Sequence, residues 1–229
     1  MQKGALDDII WLSTSNGVAM QQKQNCNNQI NKNQVVVYYA TMPSTSFALD
    51  LPTKQRNDEI ANCTNLQTKR QKYFVWKLLL QAVESNFGTG ACFIKQSNGK
   101  WGCNLCCFSL SHSNDVVAVA VSSRNVGVDV QRVALPKKLS VVDRVFSKQQ
   151  AKDFYAIDSN EEKALYFTQV WTQKESIFKL LDANAFLPTH PQTYTQPSQS
   201  KVVQIGNDHY VITVALVDQL QVEFKQVEL

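Results

Sequence analysis

The sequence lacks the features of membrane-spanning and secreted proteins. No stretch approaches the roughly 20 consecutive apolar residues that a transmembrane helix needs. The N-terminal run MQKGALDDIIWLSTSNG makes a poor secretory signal, because Asp7 and Asp8 interrupt its apolar part. Six cysteines among 229 residues are too few for a disulfide scaffold. We therefore expect a cytoplasmic protein with free thiols and no membrane partner.

The sequence also lacks a strong excess of charge of one sign. Its 23 Lys and Arg residues against 19 Asp and Glu give a formal net charge of +4. There are no concentrated Lys/Arg blocks of the kind that nucleic-acid-binding proteins carry, so we expect no nucleic-acid partner. A mild positive charge suits an anionic ligand or an acidic partner protein. Hydrophobic residues make up 44% of the chain, which is typical of a globular protein with a substantial core.

The residue pattern predicts an α+β protein of two comparable halves, residues 1–123 and 124–229. Residues 21–34 are almost purely polar and predict an exposed loop, and Asn98-Gly99 predicts a tight turn. The predicted strands are 35–40, 106–110, 116–121, 126–130, 209–217 and 221–227. The predicted helices are 66–85, 140–156 and 161–181. The halves would meet near residues 122–125.

The last predicted helix places charged residues beside an apolar stripe. The stripe is formed by Phe167, Val170, Trp171, Phe178 and Leu181. Lys174 falls within it, Glu175 lies on its edge, and Lys179 follows Glu175 by one turn. A lysine in such a stripe must reach an anion or water. A lysine that extends past the aromatic residues to water, beside an ordinary Glu175–Lys179 surface pair, is an equally good interpretation.

Asp129 is an acid in an apolar strand. Val128 and Val130 flank it, and Gln131 shares its side of the strand because side chains alternate. The carboxylate needs a partner, which could be a metal, an arginine or a backbone amide. Taken alone, Asp129 favours a structural ion pair. Together with Glu175 and its neighbouring lysines, it fits a Mg²⁺-phosphate site.

Two further motifs leave alternatives open. The run FSLSHS (108–113) offers hydroxyls and His112, which fit a phosphate-binding cluster or an ordinary strand end. A Ser-His-Asp hydrolase with Asp115 is disfavoured, because no G-x-S-x-G elbow exists and neighbours on one strand cannot form a triad. Cys103-x2-Cys106-Cys107 looks like half of a zinc site, but no second pair has suitable spacing. Buried free cysteines are the better interpretation.

Several of these segments together resemble the signature of the 4′-phosphopantetheinyl transferases, of the larger monomeric type typified by the surfactin-synthetase activator. The segments occur in the family's order over residues 56 to 180, and HYVITVA near the C-terminus also fits. They are Arg70, Gly99-Lys100, FSLSHS (108–113), VGVDVQ (126–131), Phe146-Ser147 and WTQKESIFK (171–179). The resemblance implies a monomer whose two similar halves are related by a pseudo-twofold axis. The active site would lie between the coenzyme A nucleotide side (1–123) and the metal side (124–229).

The resemblance also implies an activity. The enzyme would transfer the 4′-phosphopantetheine group of coenzyme A to a serine of an acyl or peptidyl carrier protein, release 3′,5′-ADP and require Mg²⁺. Asp129 and Glu175 would hold the metal, and Glu175 would accept the proton of the carrier serine. The residues expected to bind coenzyme A are Arg70, Lys100, Ser111, His112, Lys174 and Lys179.

The metal set departs from the family in one position. The family often has glutamate where this chain has Gln131, so we expect a metal site of two carboxylates with the Gln131 amide oxygen beside them. This departure leaves open a non-catalytic homologue that only binds coenzyme A or a carrier. A zinc-binding or nucleic-acid-binding protein is the weakest alternative.

An acidic carrier is expected to dock near residues 132–152. This stretch carries six basic residues against Asp143 alone. They are Arg132, Lys137, Lys138, Arg144, Lys148 and Lys152. Val141, Val142, Val145 and Phe146 would add an apolar anchor. The alternative is a solvated helix whose valines point inward.

Overall fold

The computed structural model describes residues 33–181 and 195–229, together with the backbone of two short strands nearer the N-terminus. The predicted loop at 21–34 lies outside these residues except for its last two positions, and Cys26 and His190 lie outside them as well.

The strands, numbered along the chain, are β1 (Ser13–Thr14), β2 (Gly17–Val18), β3 (Gln34–Thr41), β4 (Phe93–Lys95), β5 (Trp101–Cys103), β6 (Cys107–Ser113), β7 (Val116–Ser122), β8 (Val126–Arg132), β9 (Ser198–Ile205), β10 (Asp208–Leu216) and β11 (Gln221–Gln226). The helices are α1 (Lys54–Ala61), α2 (Leu66–Phe87), α3 (Ser140–Val145), α4 (Lys148–Ala156) and α5 (Asn160–Leu180). The predicted α+β class is confirmed.

Two sheets form the centre of the molecule. The first sheet has the strand order β11-β3-β7-β6, and the second has the order β8-β10-β9. Neighbouring strands are antiparallel except β11, which runs parallel to β3. Helix α2 covers one face of the first sheet, where Trp76 and Leu79 pack with Val119. Helix α5 covers one face of the second, where Ile177 packs against Ala215.

The two sheets share a core between their uncovered faces. Because side chains alternate along a strand, β3 directs Val35 and Val37 to this core and β8 directs Val128 to it. Ala118 and Ile212, from the middle strands of the two sheets, fill the space between them. Each of these five residues is fully buried. Because Val128 is buried in this shared core, the opposite face of β8 is the one that packs against α5.

The strand–helix order is the same in both sheets. In the first, β3 leads to α2, and the following strands β6 and β7 pair so that β7 lies in the middle. In the second, β8 leads to α5, and β9 and β10 pair so that β10 lies in the middle. The first sheet also contains β11, so the C-terminal end of the chain returns to the N-terminal sheet.

Smaller elements pack around the long helices. The β4–β5 hairpin contacts α2 through rings of Phe93 and Trp101 that meet Trp76. The predicted turn at Asn98-Gly99 is confirmed, and Gly99 has a positive φ of 83° that favours glycine there. Helices α3 and α4 pack on α5 through an aromatic cluster that includes Phe146. None of the described helices is long and apolar enough to cross a bilayer.

Two expectations about individual elements were wrong, and some elements were not expected. A single helix over 140–156 was predicted, but Phe146 is extended and Ser147 starts a new helix. The Ser147 Oγ accepts from the Gln150 N–H at 3.2 Å, and Gln150 Oε1 accepts from the Ser147 N–H at 3.0 Å, which is a capping box. The strand predicted over 106–110 continues to Ser113. Helix α1 and strand β9 were not predicted.

Candidate functional site

A glycine lets helix α5 lie directly on strand β8. A Cβ atom at Gly127 would lie 1.9 Å from the Ser176 carbonyl oxygen and 2.6 Å from the Leu180 backbone nitrogen. Both are backbone atoms, so no side-chain movement could relieve the overlap. The close approach places the Glu175–Lys179 turn of α5 beside Asp129, two residues along β8 from Gly127. The glycine of the VGVDVQ segment therefore positions the acids of the site.

Serine side chains join the edges of the two sheets. The Oγ atoms of Ser109, Ser111 and Ser113 accept from the backbone N–H groups of Val128, Val130 and Arg132, at 3.0, 3.2 and 3.1 Å respectively. The edge strand β8 thus satisfies its outward N–H groups on hydroxyls of β6. This explains why the polar FSLSHS segment remains a strand. It also brings Ser111 and His112 next to the strand that carries Asp129.

Asp129 and Lys179 form the centre of the site. Asp129 is only 7% exposed, and its Oδ1 accepts from the Lys179 Nζ at 2.8 Å and from the Ser111 Oγ at 2.8 Å. The same ammonium contacts the Val128 carbonyl at 2.9 Å and the Ser111 Oγ at 3.1 Å. The partner that Asp129 requires is therefore a lysine and a hydroxyl. A partly buried ammonium among these oxygens holds β6, β8 and α5 together.

Glu175 is the second acid of the site. Its pKa is raised to about 7, first because burial disfavours the charged carboxylate and then because the Asp129 charge repels it, while Lys179 opposes the shift. The two carboxylates are thus close enough to interact. A pKa near neutrality suits a group that must accept a proton in a reaction.

Lys174 is nearly inaccessible to solvent. Its residue is 2% exposed, and burial lowers the pKa of its ammonium. The predicted position of Lys174 within the buried side of the helix is confirmed. The apolar stripe itself was only partly right, because Leu181 is 46% exposed while Thr168, Thr172 and Ser176 are buried.

A chain of hydroxyls, two of them buried, ties α5 to the second sheet. The Thr213 Oγ1 lies 2.7 Å from the Thr172 Oγ1 and 2.8 Å from the Ser200 Oγ. Thr213 is the direct partner of Asp129 in the β8–β10 register. Sequence reasoning missed this network. The signal was the spacing of small hydroxyl residues at 168, 172 and 176, which indicates close helix packing.

The remaining residues predicted for the site lie on several elements. His112 on β6 is exposed, and its pKa is lowered by desolvation and by the positive charge of Lys179, against a raising effect of Asp129. Gln131 is half-buried on β8. Arg70, in the first turns of α2, donates to the Pro43 carbonyl. Lys100 is exposed in the β4–β5 hairpin.

The donor set suits a hard cation with few protein ligands. Across residues 33–181 and 195–229, no group of three or more His, Cys, Asp or Glu side chains could hold a metal. Asp129 and Glu175 are nevertheless two carboxylates close enough to repel each other. Mg²⁺ commonly binds one or two protein carboxylates and fills its remaining positions with water and substrate oxygens. The residues present therefore fit a magnesium site of two carboxylates.

The apolar anchor expected at 132–152 was wrong. Val142, Val145 and Phe146 are at most 2% exposed, because α3 turns them toward α5. The large apolar side chains exposed in this stretch are Leu135 and Leu139. The six basic residues of the stretch are exposed, as the charge pattern suggested.

Comparison with known proteins supports the resemblance that the motifs carry. Residues 125–220 match the family described as the 4′-phosphopantetheinyl transferase superfamily. The chain is 36% identical over 73 residues to the 4′-phosphopantetheinyl transferase psf-1 of Bacillus pumilus, covering 32% of this chain and 30% of that protein. It is 35% identical over 81 residues to the 4′-phosphopantetheinyl transferase Sfp of Bacillus subtilis, covering 35% of each. The matches thus span about a third of the length of these relatives.

Proposed function

Because residues 125–220 match the 4′-phosphopantetheinyl transferase superfamily, we propose that this protein transfers the 4′-phosphopantetheine group of coenzyme A to a serine of an apo carrier protein. The product would be the holo carrier, and 3′,5′-ADP would leave. The observation that carries the proposal is the meeting of Asp129, Glu175 and Lys179 where β6, β8 and α5 converge. The relatives psf-1 and Sfp are both named 4′-phosphopantetheinyl transferases.

The proposed architecture has two halves, 1–123 and 124–229, related by a pseudo-twofold axis. The repeated strand–helix order of the two sheets supports it. In this arrangement the serine-lined contact between β6 and β8 is the boundary of the halves, and the acids lie at that boundary. The N-terminal half would bind the nucleotide part of coenzyme A, and the C-terminal half would bind its pyrophosphate.

We assign the metal to Asp129 and Glu175, with the Gln131 amide oxygen near them. When bound, Mg²⁺ supplies positive charge against the pyrophosphate oxygens of coenzyme A. Lys179 keeps the Asp129 carboxylate oriented through its 2.8 Å contact and adds positive charge at the same place. Lys174, on the preceding turn of α5, would add a second cation for the phosphates.

The nucleotide end of coenzyme A would lie along β6 and the start of α2. Ser111 donates to the Asp129 carboxylate, and its neighbour on β6, His112, is exposed. The buried Nε of Arg70 has no hydrogen-bond partner among the described residues. This N–H group could therefore donate a hydrogen bond to a ligand. Lys100 would contribute positive charge from the hairpin.

The proton transfer is assigned to Glu175. The carrier serine oxygen attacks the phosphorus that bears the pantetheine arm, and the bond from that phosphorus to the nucleotide phosphate oxygen breaks. Glu175 takes the serine proton, a role that its pKa of about 7 suits. Positive charge from Lys179 stabilises the negative charge that develops on the leaving nucleotide.

The carrier would dock on the basic surface formed by residues 132–152. Its exposed lysines and arginines suit the acidic surface of a carrier, and Leu139, which is 57% exposed, offers an apolar contact. Replacing Lys137 and Lys138 with glutamate should raise KM for the carrier and leave kcat little changed. Unchanged KM would place the docking surface elsewhere. We propose a monomer that works in the cytoplasm, a setting that its free thiols favour.

The proposal is tested with coenzyme A, Mg²⁺ and a panel of apo carriers. Transfer adds the mass of one phosphopantetheine group to the carrier. Asp129→Asn and Glu175→Gln should abolish the gain, whereas Glu161→Gln, an exposed acid on the first turn of the same helix, should retain it. A non-catalytic homologue, suggested by Gln131, would bind coenzyme A without modifying any carrier of the panel.

A further inference from the structure

Four cysteines lie around the turn between β5 and β6. Cys103 ends β5, Cys107 begins β6, and Cys106 is the residue before it. Asn104 fixes the turn to Cys92 on the neighbouring segment, because its Oδ1 accepts from the Cys92 N–H at 2.7 Å and its own N–H donates to the Cys92 carbonyl at 3.2 Å. The proposed transfer reaction uses none of these thiols.

The sulfur of Cys103 differs from its neighbours in the bonds it accepts. The Leu105 N–H donates to the Cys103 Sγ at 3.5 Å, and the Cys106 thiol donates to the same sulfur. When protonated, Cys103 itself donates to the Asn104 Oδ1 at 3.7 Å. Bonds to the charged form favour a thiolate, and they lower the pKa of Cys103 to about 6, with the Cys106 bond as the largest cause. Cys103 is also partly exposed, so reagents can reach it.

The other two thiols of the turn stay protonated. Cys106 is buried, and its pKa is raised by its bond to Cys103 and by burial. Cys107 donates its thiol hydrogen to the Asn125 Oδ1 at 3.4 Å, and burial raises its pKa. The turn therefore combines one thiolate with one buried thiol in contact with it. That arrangement is a C-x-x-C dithiol. Among the residues that the structure describes, no group of three or more His, Cys, Asp or Glu side chains could hold zinc.

We propose that Cys103 and Cys106 form a thiol–disulfide exchange site that reacts with small-molecule disulfides. The Cys103 thiolate attacks one sulfur of the disulfide, which breaks its S–S bond and releases one thiolate. Cys106 then gives its proton to that thiolate and attacks the Cys103 Sγ, which breaks the mixed disulfide and releases the second thiolate. Two protein thiols are oxidised to one disulfide, and the small disulfide is reduced to two thiols.

Oxidised glutathione is the probe for this site. The reduced full-length protein is mixed with it, free thiols are blocked, and the cysteine peptides are weighed. The wild type should form a Cys103–Cys106 disulfide and lose the mass of two hydrogens. Cys106→Ser should stop at glutathione on Cys103, and Cys103→Ser should leave Cys106 unmodified. Cys92→Ser is the matched control and should behave as the wild type.

Alkylation of the native wild type gives a second readout that does not depend on the variants. At a thiol with a pKa near 6, the rate of iodoacetamide modification falls only about twofold between pH 7 and pH 6, whereas it falls about tenfold at an ordinary thiol. Cys103 should show the shallow dependence. A tenfold fall at Cys103, a Cys92–Cys103 disulfide, or glutathione on Cys107 in place of Cys103 would overturn the proposal.

Discussion

Replacing Glu175 with glutamine should stabilise the metal-free protein at alkaline pH while it abolishes transfer. The pKa of this carboxyl rises from its usual 4.5 to about 7 in the folded protein. Between these values the folded chain holds a proton that the unfolded chain has lost, so stability falls as pH rises through this window. Above pH 7 the folded protein carries the whole cost of a charged Glu175 beside Asp129. Glutamine has a similar shape and no charge, so it avoids that cost.

The size of the effect follows from the same pKa. A rise from 4.5 to about 7 corresponds to about 3 kcal/mol at full effect. The side chain is partly exposed, and solvent screening reduces the expected gain to about 1–2 kcal/mol. Near pH 5 the folded wild type is neutral at this position and only the unfolded chain is mostly charged, so the difference should be about a quarter of its value at pH 8.

Urea unfolding in a chelating buffer at pH 5 and pH 8 measures this prediction. The unfolding free energy of Glu175→Gln should exceed that of the wild type by several times more at pH 8 than at pH 5, and Glu161→Gln should show no such gain. Added Mg²⁺ should stabilise the wild type more than the variant, because the variant lacks one metal ligand. A variant less stable than the wild type at pH 8, or an equal difference at both pH values, would refute the reasoning.

Three further predictions follow from the packing around the acids. Gly127→Ala should cost about 3 kcal/mol of stability in urea unfolding and most of the activity, because the new Cβ meets the Ser176 backbone; a fully stable, active variant would contradict it. Thr213→Val should cost about 1 kcal/mol, since it removes the bonds of the Thr213 hydroxyl to Thr172 and Ser200 while Thr172 keeps its bond to the Gln169 carbonyl, and Thr213→Ser should recover most of that loss. Gln131→Glu should tighten Mg²⁺ binding measured by calorimetry, because it adds a third carboxylate; unchanged affinity would place Gln131 outside the metal site.

Much of the fold was predictable because apolar periodicity is a local property. The strand at 126–130 and the helix at 161–181 follow from valine alternation and helical spacing, and both agree with β8 and α5 to within a few residues. The break at Phe146 was missed, although Ser147 followed three residues later by Gln150 is a capping pattern in the sequence.

The sequence singled out the residues that meet where β8 and α5 converge, but it could not predict their contacts. The motifs identified Asp129, Glu175 and Lys179, because acids and lysines stand out in apolar segments. That Lys179 pairs with Asp129 depends on how closely α5 approaches β8, and this distance is set by Gly127 against Ser176. Such a contact joins residues about fifty positions apart, so no local pattern contains it.

The most direct test counts products of one reaction. An apo carrier is incubated with coenzyme A, Mg²⁺ and the protein, and both the carrier mass and the released 3′,5′-ADP are measured over time. The account predicts one 3′,5′-ADP for each carrier that gains a phosphopantetheine group, with both products absent for Glu175→Gln. Release of 3′,5′-ADP without a modified carrier, or modification that Glu175→Gln leaves at the wild-type rate, would contradict it.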